Sequence, residues 1–151
     1  MSRTRRTITK AAAILALATV LPGLAAQHLI MDRGPKPAPS EFGLGPRRSS
    51  TGAYIATLEP AAPLSGKGMQ RITLRLTDST GAAVDSATIA VGGGMPAHGH
   101  GYPTAPRITG QSGAGRYEVG GVRFSMPGWW TLSFRISAAA GTDSVTFNLK
   151  L

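Results

Sequence analysis

Apolar and polar residues alternate with a period of two along most of the chain after residue 53. The clearest case is residues 69–78, MQRITLRLTD, in which Ile72, Leu74 and Leu76 share one face. A period of two is that of a β-strand with one buried face, whereas a helix would repeat every 3.6 residues. The pattern therefore predicts an all-β domain with no helix outside the N-terminal segment.

Clusters of Gly, Pro, Ser and Asp divide this region into about seven short strands. The predicted strands are residues 54–59, 69–78, 87–91, 107–110, 115–119, 129–136 and 143–151. Short strands at even spacing over about a hundred residues are typical of an immunoglobulin-like β-sandwich. A small barrel is the competing all-β architecture, and the sequence leaves it open.

The N-terminus has the layout of a bacterial export signal. Basic residues at positions 3–10 precede an apolar run over 11–21, and small residues follow at 22–26. Residues 4–10, TRRTITK, fit a twin-arginine signal as well as a general one. Apolar residues resume at 29–31, so residues 11–31 are alternatively an uncleaved membrane anchor. We expect a helical signal peptide over 1–26, a periplasmic or otherwise extracytoplasmic location, and membrane contact only if the signal is retained.

Composition then separates a linker from the domain. Residues 27–52 are rich in Pro, Gly, Ser and charge, which predicts a flexible linker, and residues 53–151 form the predicted domain. After residue 26 the chain has 12 basic and 7 acidic residues, a net charge of 12 − 7 = +5. No basic run is interleaved with aromatic residues, so nucleic acid is not an expected partner.

The chain has no cysteine, which excludes disulfides, thiolate metal ligands and cysteine nucleophiles. Soft donors occur instead in residues 95–101, MPAHGHG, which hold Met95, His98 and His100. Imidazole suits copper and zinc, and a thioether selects monovalent copper. A second Met-Pro step occurs at Met126, and the loops of a sandwich gather at its ends. These four residues are the predicted copper ligands, with Cu(I) favoured and Cu(II) the other possible state.

Each of these residues also has a structural interpretation. Residues 95–101 are equally typical of a Gly-rich hairpin loop whose histidines face water. Met126 alone is more typical of core packing, whereas Met95 beside a glycine is expected to be less easily buried. Trp129 and Trp130 are expected to be core or rim aromatics, although an aromatic face near a cation can shield it.

His28 carries a separate hypothesis. Cleavage after Ala25 would make it the third residue of the mature chain, where it and the free amine could bind Cu(II) in a square-planar set of nitrogens. Cleavage after Ala26 would make it the second residue and remove that set. A disordered terminal histidine is the simpler interpretation.

Two segments resemble the YtkA-like family, to which FixH-type proteins are related. One is residues 95–101 followed by Pro103 and Thr104, and the other is residues 124–132, FSMPGWWTL. The resemblance covers about residues 53–151 and implies an exported or membrane-anchored, copper-associated immunoglobulin-like sandwich. The residues that match the family's motif are Met95, His98, His100 and Met126. FixH-type proteins are linked with copper supply to a haem-copper oxidase and carry a membrane helix, whereas this N-terminus predicts a removable signal.

The sequence thus predicts a cell-envelope protein that holds copper or transfers it to an envelope metalloenzyme or a copper-trafficking partner. The alternative is a metal-free module that docks a larger enzyme or a polysaccharide. An enzyme is not expected, because Asp85, Glu118 and Asp143 occupy strand or turn settings without a nucleophile elbow. A water-activating zinc site would also lack a third protein ligand that the sequence can place.

Overall fold

The computed structural model describes residues 35–151, which form two antiparallel sheets packed face to face. Two single-turn 3-10 helices, Pro39–Glu41 and Pro96–His98, accompany nine strands. The strands are β1 (Arg47–Arg48), β2 (Tyr54–Pro60), β3 (Gln70–Asp78), β4 (Thr88–Met95), β5 (His100–Gly101), β6 (Arg107–Gly113), β7 (Arg116–Val122), β8 (Trp129–Ala138) and β9 (Gly141–Lys150).

The order of the strands identifies the type of sandwich. One sheet has the order β1-β2-β3-β7-β6 and the other β5-β4-β8-β9. Without β1, these orders are the A-B-E-D and C′-C-F-G sheets of the immunoglobulin fold. The predicted immunoglobulin-like β-sandwich is therefore confirmed. The alternative of a small barrel does not apply, because a barrel needs one closed sheet and this domain has two separate sheets.

The core lies between the sheets and follows the period of two. Every second residue along the middle of β3, β8 and β9 is buried, whereas the residues between them are half-buried or exposed. The largest fully buried side chains are Trp130, Tyr54, Phe124, Phe134 and Phe147. Burial of this apolar surface is the main stabilising contribution in a chain that has no disulfide.

All seven predicted strands are present, and the structure adds two very short ones. β1 and β5 have only two residues each, which is too short for alternation to reveal them. The third predicted strand is also longer than expected, because β4 continues through three glycines to Met95. That extension decides where the side chain of Met95 points.

The expectation of a flexible linker is wrong for residues 35–52, the part of it that the structure describes. This arm runs beside β9, where the Gly43 N–H donates to the carbonyl of Asn148 at 3.0 Å. Further along, the Ser50 N–H donates to the carbonyl of Ser144 at 2.8 Å. Because an edge strand presents unpaired backbone groups, even a Pro- and Gly-rich segment finds hydrogen-bond partners there.

The predicted signal peptide and His28 lie outside the described residues. Within residues 35–151, no helix combines the length and the apolar character that a membrane span requires.

Candidate metal site

The histidine-bearing loop is a tight hairpin between β4 and β5. Pro96 occupies the first position of the 3-10 turn that follows β4. Gly99 ends the turn in the left-handed region, with φ 66° and ψ 27°, and its N–H donates to the carbonyl of Met95 at 3.0 Å. The chain then returns as β5, so that His100 pairs directly with Met95. Glycine fits residue 99 because it alone adopts this conformation without steric cost.

The hairpin brings the two predicted histidine ligands together. The ring centroids of His98 and His100 are 5.9 Å apart, and both side chains are exposed. Two imidazoles that bind one ion through nitrogens about 2 Å from it have centroids roughly 5–6 Å apart. The spacing therefore suits a single shared ion.

Two contacts fix the ring of His100. Its Nδ1 lies 2.9 Å from the carbonyl oxygen of Gly101, and its ring meets the edge of Trp130 with centroids 5.7 Å apart. In a neutral imidazole, this carbonyl accepts a hydrogen bond from Nδ1–H and leaves the lone pair on Nε2. His100 can therefore bind a metal through Nε2, while the carbonyl of Gly101 favours the tautomer that carries its proton on Nδ1.

Met95 is buried, which corrects the expectation that it would be less easily buried than other candidates. Its side chain is 3% exposed and belongs to the hydrophobic core. The reason is that β4 continues to residue 95 and directs this side chain to the inner face of its sheet. Residues directly opposite in an antiparallel pair project to the same face, so the thioether of Met95 lies on the side of the ladder that His100 occupies.

Met126 also differs from its expectation of core packing, because its side chain is 37% exposed. Its backbone carbonyl accepts a hydrogen bond from the Trp130 indole N–H at 3.0 Å, which anchors the loop before β8. The neighbouring residues Pro127 to Trp129 line a cleft of about 320 Å³ together with Met95, Ala97 and His98. The two loops therefore meet, but neither Met126 nor His100 lines this cleft. His100 lines an adjoining depression that also includes Met95.

Two residues outside the predicted ligand set also line the cleft, and of these only Trp129 was named from the sequence, as a core or rim aromatic. Trp129 forms part of its wall, and Lys36 reaches it from the N-terminal arm. Trp129 had a signal, because alternation in β8 places it on the opposite face from the buried Trp130. Lys36 had none, because only the folded path of the arm brings it there.

The donors at this end of the sandwich are imidazole nitrogens and a thioether, with no carboxylate among them. Within residues 35–151, no group of three or more His, Asp or Glu side chains is arranged to hold a metal. The hairpin instead offers two imidazoles and one thioether, whereas calcium and magnesium need several oxygen ligands and structural zinc needs four nitrogen or sulfur ligands. Of the common ions, monovalent copper fits this set best.

A larger cleft, of about 750 Å³, lies on the outer face of the five-stranded sheet. Glu59 on its floor is paired with Arg116 and with Arg75, whose Nε lies 3.2 Å from the carboxylate. No histidine lines this cleft, and the ion pairs already neutralise the carboxylate of Glu59. Its size therefore does not make it the metal site.

A sequence model of the YtkA-like family matches residues 50–135, which is more than half of the chain. The chain belongs to the YtkA-like family. Its matched region includes Met95, His98, His100 and Met126. Membership of this family favours an envelope-associated domain, while the relation to FixH-type proteins stays a prediction.

No curated protein matches this YtkA-like chain. Among solved structures, a ZirS C-terminal domain aligns with 96% of this chain and with 97% of its own length. The two share 16% sequence identity, and the TM-score is 0.38.

Proposed function

We propose that this YtkA-like domain is a cell-envelope protein that holds and transfers Cu(I) at one end of its sandwich. The observation that supports this most strongly is the spacing of 5.9 Å between the rings of His98 and His100. The buried thioether of Met95, paired across the strands from His100, would supply a third soft donor. The export signal predicted over residues 1–26 supports a place in the envelope.

The electrostatics of the cleft favour a monovalent ion. A thioether and a metal-bound imidazole are neutral ligands, and among residues 35–151 the only charged residue that lines the cleft is Lys36. A divalent ion in such surroundings would keep most of its charge uncompensated, at a cost that grows as water is excluded. Cu(I) carries half of that charge and accepts two to three soft donors, so its transfer from water into this cleft costs the least free energy.

The exposure of the ligands supports transfer as well as storage. Both imidazoles are exposed, whereas the thioether lies in the core. A partner's donors can therefore approach the ion from the imidazole side and replace His98 or His100 one at a time. Ligand exchange of this kind needs no opening of the sandwich.

The test is a measurement of Cu(I) affinity under anaerobic, reducing conditions, by competition with a chromophoric Cu(I) chelator. We expect one equivalent of Cu(I) on the wild-type protein and a large loss of affinity in the double variant His98→Ala/His100→Ala. Met69→Leu is the control, because this methionine is 59% exposed and directly precedes β3, outside the cleft. A double variant that binds Cu(I) as tightly as the wild type would contradict the proposed site.

A metal-free docking module is the second candidate. The observation in its favour is that His98, His100 and Met126 are all exposed at the same end of the fold, as residues of a docking loop would be. Wild-type protein that takes up no copper in either oxidation state would favour this candidate over copper binding.

A further inference from the structure

Trp129 and Trp130 are adjacent in β8 and therefore point to opposite faces of the sheet. Trp130 is fully buried in the core, and its indole N–H is bound to the carbonyl of Met126. Trp129 is half-buried and lines the same cleft as Met95 and His98. An ion held by Met95 and His98 in that cleft would face the indole of Trp129, and His100 would reach the ion from the adjoining depression that Met95 also lines.

Hydrogen bonds hold this indole in place. The Trp129 Nε1–H donates to the side-chain oxygen of Asn148 at 3.0 Å. Asn148 in turn donates through its amide nitrogen to the carbonyl of Glu41 at 3.3 Å. Because the only polar atom of Trp129 is used in this way, the ring presents an apolar aromatic surface to the cleft.

We propose that Trp129 is a specificity-determining residue of the metal site, which covers the bound ion with its ring and excludes water from it. This inference rests on the proposed Cu(I) function. A cation near the face of an indole is attracted by the ring quadrupole, more strongly where water is removed.

Exclusion of water discriminates between ions. Cu(I) is satisfied by two or three soft donors, whereas Zn(II) and Cu(II) complete their coordination with water when the protein supplies too few ligands. If the indole occupies the position of that water, a divalent ion loses one ligand. Cu(I) loses none, because it does not need the water. It also slows the access of dissolved oxidants to the bound Cu(I).

Three variants separate these roles. Trp129→Phe keeps an aromatic face, and Trp129→Leu keeps apolar cover without one. Asn148→Ala keeps the indole but removes its anchor, together with the hydrogen bond from Asn148 to the carbonyl of Glu41. Each is measured for Cu(I) affinity by chelator competition, for Zn(II) affinity, and for the rate at which bound Cu(I) is oxidised in air. Thermal unfolding of the apo proteins verifies that each variant is folded.

We expect Trp129→Leu to bind Cu(I) about 3- to 10-fold more weakly, with faster oxidation and unchanged or tighter Zn(II) binding. Trp129→Phe should recover most of the Cu(I) affinity, and Asn148→Ala should show a smaller loss in the same direction as Trp129→Leu. Copper quenching of tryptophan fluorescence should weaken in Trp129→Leu, although Trp130 remains.

The proposal is overturned if Trp129→Leu matches the wild type in Cu(I) affinity and oxidation rate, or if Trp129→Phe is as impaired as Trp129→Leu. In both cases the loss of Cu(I) binding in His98→Ala/His100→Ala would still support the proposed function. Wild-type protein that binds no Cu(I) would instead overturn the proposed function and this inference together.

Discussion

The terminal methyl group of Met95 fills the space that a side chain at residue 128 would need. A Cβ atom placed on Gly128 would lie 2.5 Å from the Met95 Cε, closer than two carbon atoms can approach. Gly128 also has a φ of 135°, in the region that favours glycine. The loop before β8 therefore packs directly against Met95 of the histidine hairpin. A substitution in either loop should alter the conformation of the other.

The first prediction concerns this contact. Gly128→Ala should lower the free energy of unfolding by about 1–3 kcal/mol, because the added methyl group overpacks the core and the backbone conformation is strained. It should also weaken Cu(I) binding, because the thioether of Met95 must move. Denaturant unfolding and chelator competition measure the two effects.

Gly66→Ala is the matched control for this change. A Cβ at Gly66 would meet no atom within 4 Å, so neither stability nor Cu(I) affinity should fall. Equal behaviour of Gly128→Ala and Gly66→Ala would contradict the structural coupling between the two loops.

The second prediction separates the core packing of Met95 from its proposed role in metal binding. Met95→Leu keeps the apolar volume and should cost less than about 1.5 kcal/mol of stability. Because leucine has no sulfur, Cu(I) affinity should fall by roughly 10-fold or more. Chelator competition gives the affinity, and thermal unfolding of the apo protein shows whether the core is intact.

Met126→Leu in the same assay tests the sequence prediction that Met126 is a fourth ligand. Its side chain is exposed and does not line the cleft, so we expect a much smaller loss of Cu(I) affinity than in Met95→Leu. An equal loss of Cu(I) affinity in both variants would indicate that Met126 is also a copper ligand.

The strands were predictable because alternation is a local property of the sequence. In the seven longer strands the less accessible residues largely alternate with exposed ones, although β6 contains no fully buried residue, and this alternation can be seen in the sequence as a period of two. The pairing of the N-terminal arm with β9 was not predictable, because it depends on contacts such as that between Ser50 and Ser144, which are distant in the chain.

The candidate site was predictable to a similar degree. The proximity of His98 and His100 was predictable because both residues lie in one short hairpin. The burial of Met95 and the exposure of Met126 were predicted the wrong way round. Whether Met95 faces the core depends on where β4 ends. The three glycines before Met95 have no side chains that could show alternation, so the sequence does not reveal that β4 continues to Met95.

The third prediction concerns the attachment of the arm to β9. Hydrogen bonds from the hydroxyl of Ser49 and from the hydroxyl and N–H of Thr51 hold the pKa of Asp143 well below its usual range. A carboxyl group with a lowered pKa in the folded state contributes stability above its unfolded pKa of about 4, and this contribution is lost as the pH falls further. The Tm of the wild type should therefore decrease as the pH is lowered below about 4.

Asp143→Asn should lower the Tm at pH 7 and make it less dependent on pH between about 5 and 2. Thr51→Ala, which removes one of the hydroxyl donors, should have the same effect to a smaller extent. Thermal unfolding followed by circular dichroism across this range measures both. A Tm profile for Asp143→Asn that parallels that of the wild type would show that the carboxylate does not hold the arm.

The fourth prediction concerns Lys36, which among residues 35–151 is the one charged residue that lines the cleft beside His98. Its ammonium group repels a bound cation, so Lys36→Gln should raise Cu(I) affinity by about twofold at low salt, as expected for two charges about 8 Å apart in water-like surroundings. The gain should shrink at high salt, because the Debye length falls to about 3 Å at 1 M. Lys67→Gln removes the same charge outside the cleft and should change the affinity at neither salt concentration. Chelator competition at both salt concentrations measures the effect, and a gain that persists at 1 M salt would mean that Lys36 acts by blocking the cleft rather than by its charge.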